Sequence, residues 1–232
     1  MAVEETHCHD HGSHKTCVAA VPIFNHLEDK QLDEIMHTVQ PISYQKGEHI
    51  YYAGDKSDSL YIINSGKVRI YRLSESGKEQ LVRILNPGDF TGELALFKEK
   101  THDSYAEAVQ NTGICVINRS ALQSFLITYP TISLKILNEL SNRLDQSEKQ
   151  TTRFTTEKVE RRIAFFLADC LDENDSSGEF YLPMTKKDVA SYLGTTPETV
   201  SRKLTDLEEQ GLIKQKPHKR IQILDVDGLL LV

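Results

Sequence analysis

Residues 185–211, TKKDVASYLGTTPETVSRKLTDLEEQG, limit what this chain can fold into more than any other stretch, because helix start and stop signals follow one another closely. Thr185 and Asp188 form a T-x-x-D capping box, whose hydroxyl and carboxylate can satisfy the first free N–H groups of a helix. Gly194 stands where that helix should stop, since glycine readily adopts the left-handed backbone that ends one. Thr196 and Pro197 then supply a second cap and a proline at the first helical position. The spacing predicts two short helices joined by a tight turn, the second closing at Gly211.

Such a pair is the pattern of a helix-turn-helix, whose second helix enters the DNA major groove N-terminus first. In that helix Val200, Leu204 and Leu207 make the buried stripe, which leaves Glu198, Thr199, Ser201, Arg202 and Lys203 outward. Arginine can bond a guanine edge at two points, glutamate can accept from a cytosine amino group, and serine is a tolerant partner. The following LIKQKPHKRIQIL reads as two strands around a basic tip, a wing whose Lys214, Lys216, His218, Lys219 and Arg220 suit phosphates. The predicted partner is double-stranded DNA, with Thr185 and Thr196 at the helix starts completing the candidate contacts. An ordinary helical hairpin with a solvated charged face would not combine caps, turn, exposed E-x-x-S-R and basic wing in this order. The net charge of −7 runs against nucleic acid, so the DNA-contacting charge must be local and the acidic excess must lie elsewhere.

The remaining chain reads as a separate body. Between Pro41 and Ile117, short β-like runs such as SLYIINSG, KVRIYRLSESG and GICVINR are punctuated by Gly47, Gly54, Gly66, Gly77, Gly88 and Gly113, the turn pattern of an antiparallel sandwich or barrel. A short helix precedes them, with Leu27, Leu32, Ile35 and Met36 on one face. Pro130 opens a long helix in which Ile132, Ile136, Leu137, Leu140 and Leu144 form a narrow stripe; packing on the β-body accounts for its first turns. Ile136, Leu137, Leu140 and Leu144 are therefore assigned to pairing with a second copy of the chain. VERRIAFFLADCL then forms another amphipathic helix. The expected fold is α+β: a tail over residues 1–20, an antiparallel β-roll sensor over 21–130, a dimerisation helix over 131–155 and a winged helix-turn-helix over 156–232.

No apolar run approaches the roughly 20 residues of a membrane span, and the N-terminus lacks the basic start of a secretory signal, so a cytoplasmic chain with no membrane partner is expected. In that reducing setting, Cys8, Cys17, Cys115 and Cys170 are better read as thiols, metal ligands or redox groups than as a disulfide framework. The tail MAVEETHCHDHGSHKTC sets His7, His9, His11 and His14 beside Cys8 and Cys17, a donor set suited to zinc or another borderline metal. The plain alternative is a tail without an ordered ligand, with Cys115 and Cys170 as small buried apolar residues.

On these motifs, from Phe24 to Leu224, the chain resembles the CRP/FNR family of transcription regulators. The resemblance implies a homodimer, contact with RNA polymerase, no enzymatic activity, and a two-fold symmetric target. Glu198, Ser201 and Arg202 match the FNR branch, whose half-sites resemble TTGA. Cyclic-nucleotide-binding members carry an Arg-Ser pair after a G-E-L segment. Here Gly92, Glu93 and Leu94 are followed by Asp103 and Ser104 where that pair would stand, and a carboxylate repels a phosphate. The pocket is thus read as vestigial, and cyclic AMP is not expected. The oxygen-sensing branch holds an iron–sulfur cluster on three N-terminal cysteines and one in the β-roll. Cys8, Cys17 and Cys115 fall one thiolate short, so iron–sulfur, zinc and a thiol switch between Cys115 and the tail all stay open. Control by a small organic ligand in the β-roll, constitutive binding, and a β-roll metalloenzyme of the cupin kind with the tail as ligand set are the alternatives; cupin ligands sit on the barrel strands, where His49 and His102 are scattered singly. The last leaves the helix-turn-helix unexplained.

Overall fold

The computed structural model describes residues 18–19, 21–96, 100–171 and 177–232. The expectations for Cys8, Cys17, His7, His9, His11 and His14 lie outside the described residues. Contacts divide the chain into two units, Met1–Arg72 with Ile84–Ser141, and Leu73–Arg83 with Asn142–Val232. No helix among the described residues is long and apolar enough to cross a membrane.

Helix α1 (Asp29–Met36) precedes, among the described residues, ten strands, β1 (Gln40–Tyr44), β2 (His49–Tyr51), β3 (Lys56–Ser57), β4 (Ser59–Ser65), β5 (Val68–Leu73), β6 (Glu79–Leu85), β7 (Phe90–Thr91), β8 (Lys100–Thr101), β9 (Tyr105–Ala108) and β10 (Thr112–Asn118), of which Glu79–Arg83 of β6 are counted with the second unit and nearly all the rest with the first. Two antiparallel sheets, ordered β1-β10-β4-β7 and β2-β9-β5-β6, make the expected roll. Strands β4 and β10 read as nearly continuous apolar runs because both of their faces are covered. Leu60, Ile62, Cys115 and Ile117 face a core shared with helices, whereas Ile63, Ile114 and Val116 face a second core shared with Val68, Ile70 and Ala106 of the other sheet.

Helix α2 (Arg119–Thr128), an element not expected from the sequence, is capped by Asn118, whose side chain accepts from the Ala121 N–H at 2.9 Å. The long helix α3 runs over Pro130–Thr156 as expected. Its dimer face needs correction. Ile136 is 1% exposed in the core with Ile132, and Leu140 packs partly against that core, so this spacing of four belongs to the chain's own roll. Leu134, Leu137 and Leu144 are the exposed apolar side chains of the helix. Neighbouring stripes on a helix differ by only about 100° per residue, so apolar spacing alone does not separate one from the next.

The second unit holds α4 (Val159–Ala168), β11 (Glu179–Tyr181), α5 (Lys186–Tyr192), α6 (Pro197–Glu209), β12 (Ile213–Lys216), β13 (Arg220–Ile223) and α7 (Val226–Leu230). A sheet ordered β11-β13-β12 closes one core with these helices, built on Ile163, Leu167, Val189, Val200, Leu204, Leu207 and Ile221.

Candidate nucleic-acid interface

The local signals of residues 185–211 produce the geometry they imply. Thr185 Oγ1 accepts from the Asp188 N–H at 3.1 Å, and the Asp188 carboxylate accepts from the Thr185 N–H at 3.3 Å and hydroxyl at 2.6 Å. Gly194 ends α5 at φ +65°, and a Cβ there would lie 3.0 Å from the Phe154 ring. Thr196 caps α6 by accepting from the Thr199 N–H at 3.3 Å, with Pro197 in the first turn. Thr185 and Thr196, both among the candidate DNA contacts, thus spend their hydroxyl oxygens on capping.

Val200, Leu204 and Leu207 are buried in α6, and Glu198 and Arg202, four residues apart, are exposed on its outer face, with Ser201 half-buried beside them. Hydrogen bonds from its own N–H and from Thr196 hold the Glu198 carboxyl below the usual range, so it presents a charged acceptor at neutral pH. Lys203 behaves differently from its neighbours. It bonds Glu160 on α4 at 3.2 Å and Asp206 at 3.0 Å, contacts that raise its pKa and tie it to the protein.

The wing is β12, a turn and β13, paired antiparallel with Lys216 opposite Arg220. Pro217, His218 and Lys219 connect them, and His218 and Lys219 both take positive φ, 60° and 61°, a conformation that usually selects glycine or asparagine. Both side chains are exposed. Lys216 and Arg220, by contrast, share the Glu179 carboxylate of β11, Arg220 at 3.0 Å. Lys219 is therefore presented outward, whereas Lys216 and Arg220 are anchored within the wing.

One feature of this unit had no signal in the sequence. Ser191 on α5 donates to the Glu79 carbonyl at 2.9 Å and accepts from the Leu81 N–H at 2.8 Å. Those groups lie on β6, an edge strand whose outer backbone needs partners. Gln80 adds a bond to the Tyr192 carbonyl at 3.2 Å.

The other candidate residues lie in the roll. Gly92 has φ +86°, and a Cβ there would come within 2.3 Å of the Ser59 carbonyl oxygen, so glycine is required. Glu93 and Ser104 are buried, while Leu94 is exposed. Asp103 is turned outward and pairs with Arg72 at 2.5 Å, which corrects the reading of its carboxylate as facing a phosphate. His102 is buried instead, stacked 3.7 Å from the Tyr51 ring. Burial lowers its pKa, while Asp55, Asp103, Asp58 and Glu93 act the other way. Among the described residues, the buried polar groups of the roll are Ser57, Thr91, Glu93, His102, Ser104 and Thr112, none an arginine or lysine.

Cys170 is a free thiol. Cys115 is 0% exposed beside Leu60 and Phe90, and Cys170 is pushed up to about 12 by burial and by Asp169. Among the described residues, no group of three or more His, Cys, Asp or Glu could hold a metal ion.

A β-roll, a long helix and a winged helix-turn-helix with its reading face exposed define a DNA-binding transcription regulator. The Cyclic nucleotide-binding domain family matches residues 41–129, and the Crp-like helix-turn-helix domain family matches residues 161–231. The "Probable transcriptional regulator flp" of Lacticaseibacillus casei is 32% identical, over 92% of this chain and 96% of that one. The "Anaerobic regulatory protein" of Haemophilus influenzae is 32% identical over 97% and 86%. FixK2 from Bradyrhizobium japonicum superposes with a TM-score of 0.72 at 28% identity, covering 82% of this chain and 95% of that one. The chain belongs to the CRP/FNR family of transcription regulators, which are not enzymes.

Proposed function

We propose that the chain acts as a homodimer that reads a two-fold symmetric, TTGA-type DNA site and answers to redox state or metal. The observation that carries the DNA reading is the outer face of α6, where Glu198 and Arg202 are exposed with Ser201 beside them above a fully buried stripe. Glu198 accepts from a base amino group, Arg202 bonds a guanine edge, and Lys219 at the wing tip meets phosphate. Exposed Leu134, Leu137 and Leu144 on α3 supply apolar surface for the second copy. Two copies so joined would engage half-sites about one helical turn apart. Contact with RNA polymerase follows the family resemblance.

The signal is assigned to Cys8 and Cys17 with His7, His9, His11 and His14, and to Cys115. Thiolates and neutral imidazoles at this density suit zinc, and thiolates suit an iron–sulfur cluster. The name of the Haemophilus influenzae relative, an anaerobic regulator, supports a redox signal. Cys115 is buried in the same core as Val18, the residue that follows Cys17 in the chain. Among the described residues, the roll's buried polar set includes no guanidinium that would clamp a cyclic phosphate.

The test combines metal analysis and absorbance of anaerobically purified protein with binding to a TTGA palindrome and a scrambled duplex. Preference for the palindrome that changes on oxidation or chelation, and is lost when Cys8 and Cys17 are both replaced by serine, is the expected result. Equal binding to both duplexes would end the DNA reading. A response unchanged by the double replacement would end the signal assignment alone.

A further inference from the structure

The second unit contains a cleft of about 1010 Å³ between the C-terminal half of α3 and the helices α4 and α5. It lies away from the apolar seam: Gln146, which lines it, is half a turn around the helix from exposed Leu137 at about 100° per residue. Phe166, Leu171 and Leu193 contribute apolar wall. The charges that line it are mostly matched within the protein, Lys149 by Asp145 at 2.7 Å and Arg153 by Asp169.

Arg162 is the exception. Its guanidinium stacks 4.9 Å over the Phe154 ring, and its Nε is sealed from solvent without a hydrogen-bond partner among the described residues. Arg119, Arg161 and Arg220 also have a sealed Nε, but each meets an acceptor in the protein: the Ser57 carbonyl, Glu157 and Glu179 respectively. Burial lowers the Arg162 pKa, with no offsetting carboxylate among the described residues. A guanidinium nitrogen sealed without an acceptor is costly to leave so, and the planar fork of donors beside it suits a carboxylate or phosphate better than any other group.

We infer that this cleft binds a small organic anion, one carboxylate or phosphate held by Arg162 and an apolar body laid on Phe166, Leu171 and Leu193. The volume is that of a typical small-molecule site. Occupancy reaches the DNA-reading helices through Tyr192, which lines the cleft at the end of α5 and whose carbonyl accepts from Gln150, another lining residue, at 3.2 Å. This inference is independent of the redox reading, since it uses none of the cysteines of that signal.

The test is equilibrium dialysis of the full-length protein against octanoate, with octanol and octylamine as uncharged and cationic controls of equal length. Octanoate is expected to bind once per chain, at least tenfold more tightly than either control. Arg162→Gln, checked as folded by its melting profile, is expected to lose that preference while leaving octanol binding unchanged. Ala168→Trp, which fills the cleft and keeps the arginine, is expected to abolish binding of both octanoate and octanol and decides the matter if Arg162→Gln does not fold. Octanoate bound no better than octanol, or bound equally by wild type and Ala168→Trp, would overturn the proposal.

Discussion

Lys203, on the outer half of α6, directs its ammonium to Glu160 on α4, 3.2 Å away and 43 positions earlier in the chain. A side chain that reads as a DNA contact from its place on the helix is in fact a tie between two helices of the same core. Lys203→Met is therefore expected to cost stability, about 0.2–1 kcal/mol for a pair at this exposure, and to leave sequence preference on DNA unchanged. Thermal melts and competition binding separate the two effects; a lost preference with an unchanged melt would return Lys203 to the reading face.

Arg202, exposed on the same helix, is expected to behave in the opposite way. Arg202→Ala should weaken specific binding by about 1–3 kcal/mol and relax the preference at one guanine. Titration against single-base variants of the palindrome measures this. Equal losses on specific and random duplexes would contradict base reading.

The wing tip holds Lys219 at φ +61°, a region in which a residue with a Cβ costs about 1–2 kcal/mol. Lys219→Gly is expected to stabilise the unit by up to about 1 kcal/mol, because glycine also loses more entropy on folding. The same change should weaken all DNA sequences alike and reduce the salt slope by about one. Denaturation and binding at several salt concentrations read both signs, and unchanged affinity would remove Lys219 from the interface.

Gly194 closes α5 at φ +65° with its open side 3.0 Å from Phe154. Gly194→Ala is expected to lose about 1–2 kcal/mol from the left-handed backbone alone. Denaturant unfolding checks the value; a neutral result would mean that the turn between the helices relaxes freely.

His102 gives a pH dependence of defined sign. Its folded pKa lies below the reference 6.5 because burial disfavours the charged ring. As pH falls from 6.5, the unfolded chain takes up the proton first, so stability is lost on acidification through the folded pKa. His102→Phe keeps a ring against Tyr51 and cannot titrate. Its melting temperature is expected to fall less than that of the wild type between neutral pH and mildly acidic pH, and parallel pH profiles would show that His102 carries none of the dependence.

The two capped helices were readable because a cap is local: Thr185 meets Asp188 and Thr196 meets Thr199 within one turn, so residue order alone specifies the bond. The turn glycines and the buried stripe of α6 were legible for the same reason. Helix α2 escaped although its Asn118 cap is also local, because that cap lies at the end of an apolar strand that absorbed the signal.

Residue order alone set where the two capped helices of the reader and the glycine turns begin and end, since those choices depend on bonds among neighbours and on apolar spacing. Only the tertiary structure decided which charges remain available. Lys203 goes to Glu160, while Lys216 and Arg220 go to Glu179, partners brought near by packing from other elements. It likewise decided that Ile136 belongs to the roll and Leu137 does not. Adjacent positions on a helix differ only in direction, and direction has meaning only once something stands on one side.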